Sequence, residues 1–306
     1  FMLNGRSLGE LGRAKGMMRQ INRLAHRLRD NRPGQARQNI AAHYDLGNDF
    51  YCEWLDPSMT YSSARFEPGD TLERAQRRKV SRMLQRLQIK PGDRLLEIGC
   101  GWGTLAIEAA KMGAEVVGLT LSAEQKSWAE KKVAASKLSN RIEIRLQDYR
   151  EISEQFDAVA SVEMVEAVGQ RWWPAYLDSI SRNLRPGGRA ALQYISIRHD
   201  LFEGYSRNAD FIQAYIFPGG MLIDEPQFEA LAAERGLSWD GREGFGRDYA
   251  ETLKQWRGRY DAAVGEGRLK GFSGRVHNLW RYYLMYCEGG FRGGGIDVAQ
   301  VTMAEA

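Results

Sequence analysis

The sequence predicts an α/β fold built on a parallel-rich sheet covered by helices, and three observations predict it. Apolar segments of strand length alternate with segments of helical period over 94–197, the rhythm of parallel strands joined by crossover helices. The first of these strands runs into a glycine-rich turn, Gly99-Cys100-Gly101-Trp102-Gly103, and a helix follows. The composition of the 306 residues, 43% apolar and 27% charged, belongs to a globular chain able to bury a core.

Taken in order, Met17, Ile21, Leu24 and Leu28 recur at helical spacing between arginines, and Pro33-Gly34 ends that helix. Residues 1–37 carry nine basic and two acidic side chains, although the whole chain is only +4. Such a helix either docks on the main domain with its arginines solvated or leans on an anionic membrane surface. Residues 37–66 are irregular and aromatic-rich. Asp70-Thr71-Leu72-Glu73 then offers an N-cap for a helix that turns Leu72, Val80, Met83, Leu84 and Leu87 to a core and stops at Pro91-Gly92-Asp93. Strands are expected at 94–98, 115–119, 141–146, 156–162, 189–197 and 296–303. Helices are expected at 105–112, from Ser122 to about 135, and at 173–184, with a turn at Arg185-Pro186-Gly187-Gly188. Residues 198–235 read as a helical insertion. The chain thus divides into an N-terminal helical segment, 1–90, and a main domain, 91–306.

Several classes are excluded. No apolar run approaches the ~20 residues that span a bilayer, and no segment has the pattern of a signal peptide. Cys52, Cys100 and Cys287 are far apart and odd in number, which argues against a disulfide framework. The four histidines share no metal-ligand spacing. A cytoplasmic, peripherally membrane-associated protein without a structural metal is expected. Nucleic acid is not an expected partner, because the chain lacks the Asn/Asp-Pro-Pro-aromatic motif that grips a flipped base.

The glycine loop is the most informative segment. Its spacing is G-x-G-x-G behind Glu97, whereas a dinucleotide-binding turn places its third glycine three residues after the second. This is the loop with which methyltransferases hold the amino acid part of S-adenosylmethionine; Gly99, Gly101 and Gly103 let the backbone approach that ligand closely. After the second strand, Thr120-Leu121-Ser122-Ala123-Glu124-Gln125 supports two readings: Ser122 and Gln125 form a capping box, or they turn their polar groups to the cofactor. Asp148 and Tyr149 follow the third strand, where an adenine-binding acid and aromatic are expected.

With these motifs in hand, the chain resembles the cyclopropane fatty acid synthases and mycolic acid methyltransferases. The resemblance rests on Leu-Glu-Ile-Gly-Cys-Gly-Trp-Gly at 96–103, on the motifs at 43–50, 55–62, 121–125, 147–150 and 215–220, and on Tyr282-Tyr283-Leu284 before Cys287. It covers roughly 37–305. It implies a Rossmann-like class I methyltransferase fold with a seven-stranded sheet, N-terminal helices and a helical lipid-binding insertion. It further implies S-adenosylmethionine held by Tyr61, Ser62, the loop 95–103, Thr120, Gln125, Asp148 and Tyr149. The substrate would be the unsaturated acyl chain of a membrane phospholipid, and the assembly a homodimer.

The family binds bicarbonate, thought to remove a proton from the new methyl, through a Cys, a Glu, a His, a backbone group near an Ile and a Tyr. Mapped by resemblance, these positions are Ser63, Glu166, Gln193, Ile195 and Tyr283. Ser for Cys and Gln for His remain able to hydrogen-bond in both senses, but no imidazolium is left among them. Either the same cyclopropane forms, or the proton leaves a neighbouring carbon and a methyl-branched unsaturated chain or furan fatty acid precursor results. A small amine is a further acceptor, and a non-catalytic membrane-binding protein is the rival class. Glu166 carries the main catalytic expectation; Glu163, in the same motif, is read as exposed or near the cofactor and receives no role.

Overall fold

The computed structural model describes residues 46–208 and 210–305. The basic helix expected over 17–28 and the first residues of the 43–50 motif lie outside the described residues. Seven strands form one sheet: β1 (Arg94–Ile98), β2 (Glu115–Thr120), β3 (Ile142–Leu146), β4 (Phe156–Val162), β5 (Leu184–Ile197), β6 (Asp240–Gly244) and β7 (Ile296–Ala304). Their order is β3-β2-β1-β4-β5-β7-β6. Strands β1 to β5 are parallel, and β7 runs antiparallel between β5 and β6. The order reverses between β1 and β4, which opens a crevice at the carboxyl ends of those strands.

Ten α-helices lie among the described residues: α1 (Asn48–Cys52), α2 (Leu72–Leu87), α3 (Thr104–Lys111), α4 (Ala123–Ala135), α5 (Trp173–Asn183), α6 (His199–Ser206), α7 (Phe211–Tyr215), α8 (Glu225–Ala233), α9 (Gly246–Gly265) and α10 (Gly274–Arg292). Thr71 caps α2 by accepting from Arg74 N, and the five apolar residues expected to face a core are all buried. The central strands are apolar on both faces, with Leu95, Leu96, Val116 and Val117 buried, as a sheet covered on both sides requires.

Two elements differ from expectation. Strand β5 begins at Leu184 because Leu184 already pairs with Phe156; the register then shifts through Arg185-Pro186-Gly187-Gly188 and resumes at Arg189 opposite Ala158. Strand β6 was not expected. It is a polar edge strand, Asp-Gly-Arg-Glu-Gly, with no residue buried, and it pairs only with β7. Its Glu243 is held by Arg82 and Arg86 of α2 at 3.1 and 3.0 Å and by Arg65. Those cations push its carboxyl down to about 2.

An aromatic cluster joins the front of the chain to its end. Trp54 lies with its ring centroid 5.6 Å from Trp256 of α9 and 5.8 Å from Trp280 of α10, while Tyr51 of α1 lies 5.4 Å from Trp102 in the glycine loop. Trp102 Nε1 also donates to Asn48 Oδ1 at 2.7 Å. The loop is thereby clamped from outside the sheet. Trp54 is fully buried, so Trp54→Ala should cost about 3–5 kcal/mol of stability; urea unfolding followed by circular dichroism measures that loss.

Candidate active site

A cavity of about 790 Å³ opens at the carboxyl ends of β1, β2, β4 and β5 and runs on beneath residues of α6, α7 and α10. At one end lies the glycine loop. Gly99, Gly101 and Gly103 have φ of 81°, 52° and 83°, a region that side chains with a Cβ rarely enter. A Cβ on Gly99 would also meet Met164 Cγ at 2.7 Å. Gly99 and Gly101 line the cavity, whereas Gly103 caps α3. Glu97 is buried against the cavity, its carboxyl pushed up to about 8 by burial, and its Oε2 has no partner. That oxygen is an acceptor held ready for an amino group.

Both readings of the 120–125 segment hold in part. Ser122 Oγ accepts from Gln125 N at 3.2 Å, so Ser122 caps α4. The Gln125 side chain does not return the bond: its Oε1 accepts from Thr120 Oγ1 at 2.9 Å, and Thr120 Oγ1 accepts from Ser122 N at 3.1 Å. Gln125 and Thr120 both line the cavity. Asp148 lines it too, but its carboxylate is engaged by Arg150 through Nε at 2.9 Å and Nη2 at 2.6 Å. Arg150 in turn lies 5.4 Å over the Tyr149 ring. The Asp148 Oδ1 also accepts from Arg150 N at 3.0 Å, and a carboxylate retains lone pairs beyond those three bonds. The set fits S-adenosylmethionine: Glu97 for the amino group, a loop without Cβ atoms, and Asp148 with Tyr149 toward the adenine.

The residues expected around the reacting carbons come together, though not as an empty anion site. Glu166 Oε1 accepts from Ile195 N, and Tyr61 and Tyr283 share a hydrogen bond of 2.9 Å between their hydroxyls. Ser63 and Gln193 converge on a residue to which the sequence reading gave no role. Glu163 Oε1 accepts from Ser63 N at 2.8 Å and from Gln193 Nε2 at 2.7 Å, and its Oε2 accepts from Tyr249 OH at 2.6 Å. Gln193 is fixed from behind by Gln300 Nε2 at 2.9 Å, and Ser63 Oγ donates to Ala64 O at 2.9 Å. Glu163 has φ of 49°, a left-handed conformation that costs about 1–2 kcal/mol outside glycine. Its own N–H donates to Gln193 O at 2.7 Å. Strain sustained by so many bonds marks a position with a task.

Burial raises the carboxyls of both acids, that of Glu166 to about 8 with the Glu163 charge adding to the effect. Burial and the Glu163 charge raise the Tyr249 hydroxyl as well, so it stays protonated and donates. Bicarbonate does not fit this arrangement. The N–H groups of Ser63, Gln193 and Ile195 are already bonded to glutamates, and a second anion would lie against the Glu163 carboxylate. The signal in the sequence was the pair of acids three residues apart after β4, set against the loss of a histidine at 193.

A sheet of this order, with an antiparallel seventh strand and a G-x-G-x-G loop at its switch point, is the Rossmann-like methyltransferase fold. Residues 31–301 match the family model for mycolic acid cyclopropane synthetase. The chain belongs to that family. It is 42% identical over 283 residues to a tuberculostearic acid methyltransferase of Mycobacterium tuberculosis, covering 90% of this chain and 66% of that one. It is 40% identical over 265 residues to a cyclopropane-fatty-acyl-phospholipid synthase of Escherichia coli, covering 86% and 66%. The chain therefore spans just under two thirds of each of these relatives. Among solved structures, a mycolic acid cyclopropane synthase complexed with SAH and CTAB superposes with a TM-score of 0.82 at 33% identity, covering 87% of this chain and 97% of that one. Coclaurine N-methyltransferase superposes at 0.75 with 22% identity, which speaks to the fold alone.

Because burial raises the carboxyls of Glu97 and Glu166 to about 8, the folded protein binds more protons than the unfolded chain between the ordinary carboxylate range and about 8. Stability then falls as pH rises through that window. Glu166→Gln removes one contribution, so urea denaturation from about pH 5 to about pH 8 should show a shallower fall than in the parent protein.

Proposed function

We propose that this chain transfers a methyl group from S-adenosylmethionine to the double bond of an unsaturated fatty acyl chain carried by phospholipid. We further propose that its product is a methyl-branched unsaturated chain. The single observation that carries the second statement is the Glu163 carboxylate, held where the family resemblance would put bicarbonate. When bound, S-adenosylmethionine supplies an electrophilic methyl group. The chain's own residues orient the partners and exclude water. Apolar side chains such as Ile197, Leu201, Phe211 and Phe217 line the far part of the cavity and suit an acyl chain.

Once the π pair of the acyl double bond has formed the new C–C bond, the neighbouring acyl carbon carries positive charge. Glu163 and Glu166 lie beside it as anionic or polar partners. Glu163 then takes a proton from a carbon flanking the cation, and the C–H electron pair becomes the new double bond. A tethered base replaces a diffusible one. The 42% identity to a relative named as a methyltransferase supports this reading; the 40% identity to a cyclopropane synthase supports ring closure as the second. Tyr215 and Tyr282, exposed where they line the cavity, suit the headgroup level of a membrane. They and the basic N-terminal segment support docking on an anionic membrane surface.

The test uses unsaturated phospholipid vesicles and cofactor bearing a trideuterated methyl. A methyl-branched alkene keeps all three deuterons and gains about 17 mass units, the count that follows from which proton the base removes. A gain of about 16 that resists mild hydrogenation means a ring and overturns the product. A gain of about 16 that takes up hydrogen means an open chain whose proton came from the methyl, and it overturns the flanking-carbon step alone. Glu163→Gln should lower kcat by at least about a hundredfold, the scale of a lost general base, with cofactor affinity retained. Unchanged turnover would remove Glu163 from the reaction.

A further inference from the structure

Lys79 of α2 is a charged group in the cavity wall that nothing above uses. It is 1% exposed and its Nζ donates to Ser62 Oγ at 2.5 Å. Among the described residues that is its only hydrogen bond, so two of its three N–H donors are uncommitted. No carboxylate forms an ion pair with it within 4.0 Å among the described residues, although Glu163, Asp56 and Glu97 attract it from farther away. A cation buried only to support the fold is normally paired. This one instead faces the cavity alongside Ser62, Glu97 and Gly99.

The direction of the Ser62 bond matters. Lysine is donor-only, so Ser62 Oγ must accept, and the serine O–H is left to donate elsewhere. Gln76 Nε2 donates to Ser62 O at 2.8 Å and fixes that residue's backbone. The result is an O–H donor backed by an ammonium in the same cavity lining as Glu97, whose Oε2 is an unpartnered acceptor. A cationic donor pair and a carboxylate on one cavity wall are complementary to an α-amino acid zwitterion.

We propose that Lys79, acting with Ser62, forms a subsite for the α-carboxylate of the cofactor's methionine portion, as the counterpart of Glu97 for its amino group. The inference rests on the cofactor reading above. Lys79 is a binding and positioning residue here. Burial lowers its ammonium to about 8, so the charge is present at neutral pH and is lost as pH rises above that value.

The experiment is calorimetric binding of S-adenosylhomocysteine and of its decarboxylated analogue, in which hydrogen replaces the carboxylate, to the parent protein and to Lys79→Met. The parent protein should favour the carboxylate form by at least about tenfold. Lys79→Met should weaken that form by about as much and leave the analogue within about twofold, so that discrimination collapses. A purely structural lysine would weaken both ligands together, and that result overturns the proposal. Should Lys79→Met fail to fold, the parent protein alone decides: its preference for the carboxylate form should decline from about pH 7 to about pH 9. The Glu97 contribution cancels there because both ligands keep the amino group. Equal binding of both ligands by the parent protein overturns the subsite while leaving the cofactor reading in place. Binding of neither overturns both.

Discussion

The structure depends on satisfying one buried anion. A carboxylate taken from water into a protein interior costs several kcal/mol unless it is well bonded, and Glu163 meets that demand with partners from three distant parts of the chain. Ser63 comes from the segment that covers the cleft, Gln193 from β5 and Tyr249 from α9. Two of these partners are themselves fixed, Gln193 by Gln300 of β7 and Ser63 through its neighbour Ala64, whose N–H donates to Thr252 of α9 at 3.1 Å. The site and the packing of the N-terminal segment against α9 are therefore one problem with one solution. Loss of any partner would leave the carboxylate short of a donor where water cannot supply one.

This constraint explains why Ser63 and Gln193 occur together. An imidazolium beside Glu163 would form an ion pair and weaken the carboxylate as a base. Gln193 offers one neutral N–H and directs its carbonyl oxygen to Gln300, so the amide is locked in a single orientation. Ser63 contributes through its backbone N–H while its hydroxyl turns to Ala64 O, so its side chain adds no charge. Both residues leave Glu163 hydrogen-bonded yet without a contacting cation. Its raised carboxyl is what that environment dictates, and a raised carboxyl is a better proton acceptor.

Much of the fold was legible because it follows from periodicity. Strands β1, β2, β4 and β7 and helices α2, α4 and α5 lie within a residue or two of where apolar spacing and capping residues put them. Strand β6 was illegible for the opposite reason. Its five polar or glycine residues carry no alternation, and its place is fixed by β7 hydrogen bonds and by the arginines of α2 on Glu243, both tertiary effects. In the site, the glycine loop could be read because its chemistry is local. Glu163 was only half legible: the spacing of the two acids after β4 is local, but the meaning of the first comes from residues 30 and 100 positions away. A family pattern also directs attention to the positions it names, and Glu163 is not among them. The Asp148 partnership with Arg150 was hidden differently: the pair is only two residues apart in sequence, yet an acid at an adenine-binding position is naturally read as free for the ligand.

The cavity also carries a charge argument larger than any one residue. Glu97, Glu163, Glu166, Asp148 and Asp210 line one continuous space with Lys79 and Arg150 as the cations, and Arg150 is engaged by Asp148, so a ligand bearing net positive charge is favoured there once the carboxyls ionise. A sulfonium cofactor meets that condition, and so does an acyl chain with a developing cation. Its demethylated product has lost the sulfonium charge and is held less tightly by the same field. An electrostatic preference of this kind acts on the charged states and only weakly on the neutral ones. The arrangement that binds the methyl donor thus also favours release of what remains after transfer. The aromatic clamp of Trp102, Tyr51 and Trp54 packs apolar rings behind the glycine loop, and apolar surroundings screen such a field less than water does.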